Sequence, residues 1–255
     1  MRILVLSDIH ANRPALEAIR EEFDVCLFLG DVVDYGVDPL PCIDWVRRNA
    51  RYAVRGNHDH GAAQRVFVQG VGGFRYLSGV TRAKTIPLLG DDDRRYLAGL
   101  PTSLSLTLGG ERFFLVHATP RDPMDEFAPP DAEAWKRRIE RIDADYVLVG
   151  HSHVQYMLQL GGTTVINPGS VGLPRDGDPR AAYAIITEDG PELKRVEYDI
   201  DAAVAALDAA ELPGPARDAL AEVLRTGRLE RRLMTAELNG NGVAGGHART
   251  EVSHG

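Results

Sequence analysis

Five short apolar runs in this chain each end in a cluster of Asp, His or Asn, and that repetition limits the fold more than any other feature. Ile3-Leu4-Val5-Leu6 leads into Ser7-Asp8-Ile9-His10-Ala11-Asn12. Val25-Cys26-Leu27-Phe28-Leu29 leads into Gly30-Asp31-Val32-Val33-Asp34. Tyr52-Ala53-Val54 leads into Arg55-Gly56-Asn57-His58-Asp59. Arg112 to Val116 leads into His117, and Tyr146 to Val149 into Gly150-His151-Ser152-His153. Continuous aliphatic runs of this length read as buried strands. Between the first three lie helix patterns. One starts near Pro14, with Asn12 as cap and Leu16 and Ile19 three apart; the other spans Pro41 to Asn49. Strand–helix–strand–helix–strand predicts right-handed crossovers and a parallel sheet, with ligands bound beyond the carboxyl ends of the strands.

The second half changes period. Leu104 to Leu108 alternates, Gly109-Gly110 is a two-residue hairpin turn, and Arg112 to Val116 returns. Asp131 to Ile142 is an amphipathic helix. Tyr156–Leu160, Thr163–Ile166, Ala182–Thr187 and Leu193–Tyr198 are further strands. The expected organisation is one domain over 1–200, with a helical insertion over 60–100 near the site. C-terminal helices follow over 201–238, broken at Pro213-Gly214-Pro215. Residues 239–255 hold too few apolar side chains to offset ordering entropy and are expected to be disordered.

The clusters have the composition of a metal centre. Carboxylate and imidazole donors without sulfur suit manganese, iron, cobalt, nickel or zinc, and the set is too rich in nitrogen for calcium. The pairs Asp8/His10 and His151/His153 stand on alternate residues, which would point them to one side of an extended segment. The glycines before Asp31, Asn57 and His151 suggest close backbone approach. Of eight histidines, five fall in these loops; His247 and His254 lie in the tail, and His60 is read as a solvated turn residue. The two cysteines, Cys26 and Cys42, lie far apart and outside any metal-binding spacing, so neither a disulfide framework nor a thiolate site is expected. Asp8 after the first strand, in place of a glycine-rich turn, excludes a dinucleotide-binding reading.

A net charge of −8 argues against stable nucleic-acid binding. It leaves a small phosphate substrate open, because bound cations reverse the local field. No apolar stretch is long enough for a bilayer span or a signal-peptide core, so the expectation is a cytoplasmic protein without membrane association. A homo-oligomer is left open.

Taken together, Asp8-x-His10, Gly30-Asp31-x-x-Asp34, Gly56-Asn57-His58-Asp59, His117 and Gly150-His151-Ser152-His153 resemble the calcineurin-like metallophosphoesterases, with all five motifs in order. The first motif, Ser-Asp-x-His, and the stretch Asn167-Pro168-Gly169-Ser170-Val171-Gly172 resemble the small bacterial and archaeal phosphodiesterase branch. The resemblance implies a four-layer αββα sandwich of two mixed sheets flanked by helices. It implies one divalent metal on Asp8, His10 and His153, a second on Asn57, His117 and His151, and Asp31 between them, with manganese expected. It further implies attack on phosphorus by a hydroxide shared between the metals, with His58 as general acid supported by Asp34. Asp59 is a second candidate for that support by adjacency alone.

Where the protein phosphatases of this family continue Asp-Arg-Gly, this chain reads Asp34-Tyr35-Gly36. The missing guanidinium favours a diester or nucleotide substrate over a phosphoprotein. Asn12 and Tyr35 are the expected substrate contacts, and Arg55 and Arg175 have no assigned role. A phosphomonoesterase and a non-catalytic metal-binding interaction scaffold of the same fold are the alternatives.

Overall fold

In the computed structural model, residues 1–68, 70 and 72–230 are described. The first half runs β1 (Ile3–Leu6), α1 (Arg13–Ala18), β2 (Val25–Phe28), α2 (Pro39–Asn49), β3 (Ala50–Ala53), α3 (Asn57–Ala63), α4 (Gly73–Thr85) and α5 (Asp91–Gly99), with one 3₁₀ turn at Ile86–Leu88. The second half runs β4 (Ser103–Leu108), β5 (Glu111–Val116), α6 (Ala132–Ile139), β6 (Tyr146–Leu148), β7 (Tyr156–Leu160), β8 (Thr163–Asn167), β9 (Ala181–Thr187) and β10 (Gly190–Val196). Helices α7 (Ile200–Ala209) and α8 (Gly214–Thr226) follow.

The strands form two five-stranded mixed sheets, ordered β10-β9-β1-β2-β3 and β4-β5-β6-β8-β7. Strands β1, β2 and β3 are parallel, as are β5, β6 and β8, while β4, β7, β9 and β10 pair antiparallel. The period of two along each strand explains the layering. Ile3, Val5, Val25 and Leu27 meet Phe113, Leu115, Leu148 and Ile166 between the sheets. Leu4, Leu6, Cys26 and Phe28 face the other way, onto Leu16, Cys42, Ile43 and Val46 of α1 and α2. Val147 and Val165 face outward onto Trp135 and Ile139 of α6. Both faces of β1 and β2 are therefore covered, which is why their sequences are unbroken apolar runs. The architecture is the expected four-layer αββα sandwich.

Helices α4, α7 and α8 close one end through Leu77, Val204, Leu207, Leu220 and Leu224, packed with Tyr35 and Leu173. The expected break at Pro213–Pro215 separates α7 from α8. Helix α8 stops at Thr226, where Gly227 takes φ 64°, so the helix is shorter than the sequence pattern suggested. The remainder of that expectation and the tail over 239–255 lie outside the described residues. Among the described residues no helix is long and apolar enough to cross a membrane.

Candidate metal centre

Five strand ends converge where the two sheets meet. From one sheet come Asp8 after β1, Asp31 after β2, and Asn57 at the start of α3 beyond β3. From the other come His117 after β5, and His151 and His153 after β6. The turns that carry them are not extended. Asp8, His10, Asp31, His151 and His153 all adopt positive φ, between 48° and 64°. The pairing of alternate residues therefore comes from left-handed turns and not, as expected, from a pleated segment. Such conformations cost roughly 1 kcal/mol or more each in non-glycine residues, and they persist where the surroundings fix them. Hydrogen bonds do so here: Asp8 N–H donates to Gly30 O at 2.9 Å and His10 N–H to Asp31 O at 3.1 Å. Gly56 is required by close approach, because a Cβ there would lie 2.0 Å from Asp31 Oδ1.

Three imidazoles are oriented in one way. His10 Nδ1 donates to Val33 O at 2.8 Å, His117 Nδ1 to Leu29 O at 2.8 Å and His153 Nδ1 to Leu173 O at 2.6 Å. Each bond fixes the proton on Nδ1 and leaves the Nε2 lone pair aimed inward. His10 Nε2 and His153 Nε2 consequently face each other at 3.1 Å. Asp8 Oδ1 lies 3.3 Å from His153 Nε2 and 3.7 Å from His10 Nε2. Asp31 Oδ2 lies 3.1 Å from His117 Nε2 and 4.0 Å from His10 Nε2.

Both of those carboxylate oxygens are buried without a hydrogen-bond partner. Facing lone pairs beside orphaned carboxylate oxygens are what a cation would satisfy. Two donor groups are close enough to hold one: Asp8, His10 and His153, and Asp8, Asp31 and His117. Asn57 Oδ1 is 3.2 Å from His117 Nε2, and the His151 ring lies 5.2 Å from that of His117. All seven residues expected as ligands are thus brought together, and the donor set fits divalent metal ions.

The local field is strong. Burial works against the charged form of Asp31, yet His117 and His58 hold its carboxyl well below the usual range. Burial likewise opposes the charge on His117, but without a cation Asp31, 3.1 Å from Nε2, raises its pKa to about 10, so a metal would take the place of the Nε2 proton. His153 is driven well below its ordinary value by burial and by Arg175, and His151 is lowered by burial and His117.

His58 sits beside this cluster on α3. Its Nδ1 donates to Asp34 Oδ2 at 2.6 Å, and its Nε2 is 4.0 Å from Asp31 Oδ2. Burial disfavours the imidazolium, but Asp31 and Asp34 outweigh it and raise the pKa. Asp59, the second candidate partner, does not reach His58. Its carboxylate accepts the backbone N–H groups of Asp31 and Val32 at 2.8 Å and of Gly56 at 3.1 Å, and so shapes the Asp31 turn.

Asn12, expected as a substrate contact, lies outside the lining of the cleft over this cluster: its Oδ1 accepts Ala15 N–H as the cap of α1, and its Nδ2 donates to Gly172 O at 2.9 Å and to the Tyr198 hydroxyl at 3.4 Å. Tyr35 does line that cleft, with its ring 4.8 Å from His10 and 5.0 Å from His58. His60 is in the last turn of α3, on the cleft wall. Arg55 donates to Ala98 O at 2.7 Å and stands outside the cleft.

Sequence reasoning missed Arg82 altogether. This buried α4 residue donates Nε to Asp34 Oδ2 at 2.9 Å, a second N–H to the same oxygen, and Nη1 to Val66 O at 3.0 Å. No motif marks it. The only available hint was an arginine on the predominantly buried face of a helix, beside Leu77, Ser78 and Thr81. The cleft over the cluster has a volume of about 770 Å³ and is lined by Asp31, Asn57, His58, His151, His153 and Arg175, among others.

A calcineurin-like phosphoesterase superfamily domain matches residues 1–190. An uncharacterized protein of Methanocaldococcus jannaschii is 30% identical over 226 residues, covering 78% of this chain and 88% of that protein. Phosphodiesterase YfcE of Escherichia coli is 26% identical over 200 residues, covering 74% and 89%. The crystal structure of a metallophosphoesterase from Sphaerobacter thermophilus superposes with a TM-score of 0.74 at 33% identity, covering 89% of this chain and 99% of that one.

Proposed function

The chain belongs to the calcineurin-like phosphoesterase superfamily, and on that premise we propose that it hydrolyses a phosphodiester or nucleotide-type phosphate ester with two divalent ions. Asp8, His10 and His153 would hold one ion and Asn57, His117 and His151 the other, with Asp31 between them. Manganese is the proposed metal. The observation that carries the reading is the 3.1 Å approach of the His10 and His153 Nε2 atoms, each with its Nδ1 already donating to a carbonyl, beside the unpartnered oxygens of Asp8 and Asp31.

When bound, such ions supply Lewis acidity toward phosphoryl oxygens and toward water. The protein's own part is positioning and proton transfer. Asp8 and Asp31 are held anionic, and the backbone carbonyls of Leu29, Val33 and Leu173 keep three imidazoles in one tautomer. His58, protonated at Nδ1 by its bond to Asp34, turns Nε2 toward Asp31 and the cleft. In its imidazolium form it carries a second proton, on Nε2, and would deliver that one to the departing alkoxide, leaving the neutral ring with Nδ1–H on Asp34. The relative named a phosphodiesterase supports a diester substrate.

The test is an assay of the purified, manganese-loaded chain against bis(4-nitrophenyl) phosphate, 4-nitrophenyl phosphate and a dinucleotide. Turnover of at least one ester is expected. Asp31→Asn and His58→Ala should each lower kcat by about 10²–10⁴-fold, the range for loss of a positioned acid–base or electrostatic group, while circular dichroism stays unchanged. No hydrolysis of any of the three would sink the reading.

A further inference from the structure

Arg175 stands on the loop between β8 and β9, and its backbone N–H donates to His153 O at 3.1 Å. Its guanidinium carbon lies 3.7 Å from the centre of the Phe74 ring and 5.3 Å from that of Tyr35. On its other side the Tyr35 ring lies 5.0 Å from the His58 ring. A single phenol ring therefore separates His58 from this cation, and His58, Tyr35 and Arg175 all line the cleft over Asp31, His151 and His153.

Arg82 and Arg175, two of the arginines that line this cleft, differ in how they are held. Arg82 is committed to Asp34 and to the Val66 carbonyl. Arg175 makes no ion pair with any described residue, and its buried Nε has no hydrogen-bond partner. The carboxylate next to it, Asp176, is taken by Arg195. Arg175 is fixed by the face of Phe74 and by a hydrogen bond it donates to the Tyr35 hydroxyl, contacts that orient the guanidinium without neutralising it. A preorganised, partly buried guanidinium with an unpartnered Nε is suited to a planar or tetrahedral oxyanion.

Its direction identifies which oxyanion. A general acid marks the side of the site from which the leaving group departs. Tyr35 neighbours both groups, with its ring 5.0 Å from that of His58 and 5.3 Å from the Arg175 guanidinium carbon, so a group departing past His58 comes within reach of Arg175. Resting on the phosphoesterase reading above, we infer that Arg175 is a specificity-determining residue that binds a negatively charged group carried by the leaving portion of the substrate. The enzyme then prefers esters whose leaving group bears its own phosphate or carboxylate.

A matched pair of non-hydrolysable probes tests this by calorimetry on the manganese-loaded chain, without turnover. Phenylphosphonate offers only the phosphonate; 4-phosphonobenzoate adds a carboxylate across the ring. A charge-assisted contact should make 4-phosphonobenzoate bind about tenfold or more tightly than phenylphosphonate. Arg175→Gln, which keeps a planar polar group but loses the charge, should reduce that ratio to about two or less, and Arg175→Lys should retain part of it. Equal affinities in the unmodified chain, or a ratio that survives Arg175→Gln, would overturn the inference. So would a loss of both ligands to the same extent in Arg175→Gln and Arg175→Lys, which marks a structural role. If neither phosphonate binds the metal-loaded chain, the phosphoesterase reading falls and takes this inference with it.

Discussion

Asp34 receives two cations on one carboxylate oxygen, His58 from α3 and Arg82 from α4. The pairing favours the imidazolium form of a partly buried ring: burial favours the neutral ring, and Asp31 and Asp34 outweigh it and raise the pKa. The sign of a pH experiment follows. A general acid works in its protonated form, so activity falls as pH rises through its pKa. Asp34→Asn removes a charge that raises this pKa, and it leaves Arg82, which lowers it, uncompensated. The alkaline limb of kcat/KM for an ester with an alkyl leaving group should move to lower pH. A limb that stays in place would remove the His58–Asp34 pair from proton transfer. At this scale the residues that cluster as candidate ligands were legible, because Asp, His and Asn at strand ends interrupt apolar runs. Their backbone conformations were not. Positive φ at Asp8, His10 and Asp31 arises from bonds to partners 20 or so residues away, or in other loops. Arg82 was hidden for the same reason: its partner lies 48 positions earlier in the chain.

Strands and helices were legible where burial imposes a period, and less so where it does not. Both faces of β1 and β2 are covered, so their runs are continuous. Strand β4 has intermediate and exposed positions, and its sequence alternates. The helical region over 60–100 was legible only as helical, since its helices pack on different partners: α3 and α5 join the core of the first sheet through Ala62 and Leu97, while α4 packs with α7 and α8 through Leu77. Some cross-links between elements escape pattern reading entirely. Glu21, in the loop after α1, accepts from Arg2 beside β1, Tyr183 on β9 and Lys194 on β10. Tyr183 and Lys194 are themselves register partners. Burial opposes the Glu21 charge, but these three donors lower its pKa to about 2. A depressed carboxylate pKa contributes stability that is fully present above the unfolded value and lost as pH falls toward the folded one. Glu21→Gln should therefore destabilise the chain by about 2 kcal/mol at neutral pH, the scale of hydrogen bonds to a charged group. It should also flatten the loss of stability between pH 4.5 and 2. Urea unfolding at several pH values checks both, and parallel curves for the two proteins would contradict the assignment.

The whole molecule places its charge problem at the seam between two sheets. Asp8, Asp31 and Asn57 come from one sheet, and His117, His151 and His153 from the other, so the cluster joins layers that otherwise meet through apolar side chains. Without a cation, buried Asp8 Oδ1 and Asp31 Oδ2 have no hydrogen-bond partner. A ligand that binds only the folded state stabilises it by mass action, about 2.7 kcal/mol at a free concentration 100 times Kd. For a chain of this size that corresponds to a rise in Tm of roughly 5–10 °C. Manganese should raise Tm on this scale and a chelator should reverse it. Asp31→Asn should lose most of the rise, because its carboxylate is the one proposed to lie between the two ions. His58→Ala should keep it, because His58 is proposed as the proton donor and stands outside the proposed ligand set. Scanning calorimetry of the three proteins with and without manganese separates metal holding from catalysis. If Asp31→Asn and the unmodified chain gain equally, the ions are held elsewhere; if His58→Ala loses the gain as completely as Asp31→Asn, the division between ligands and acid is wrong.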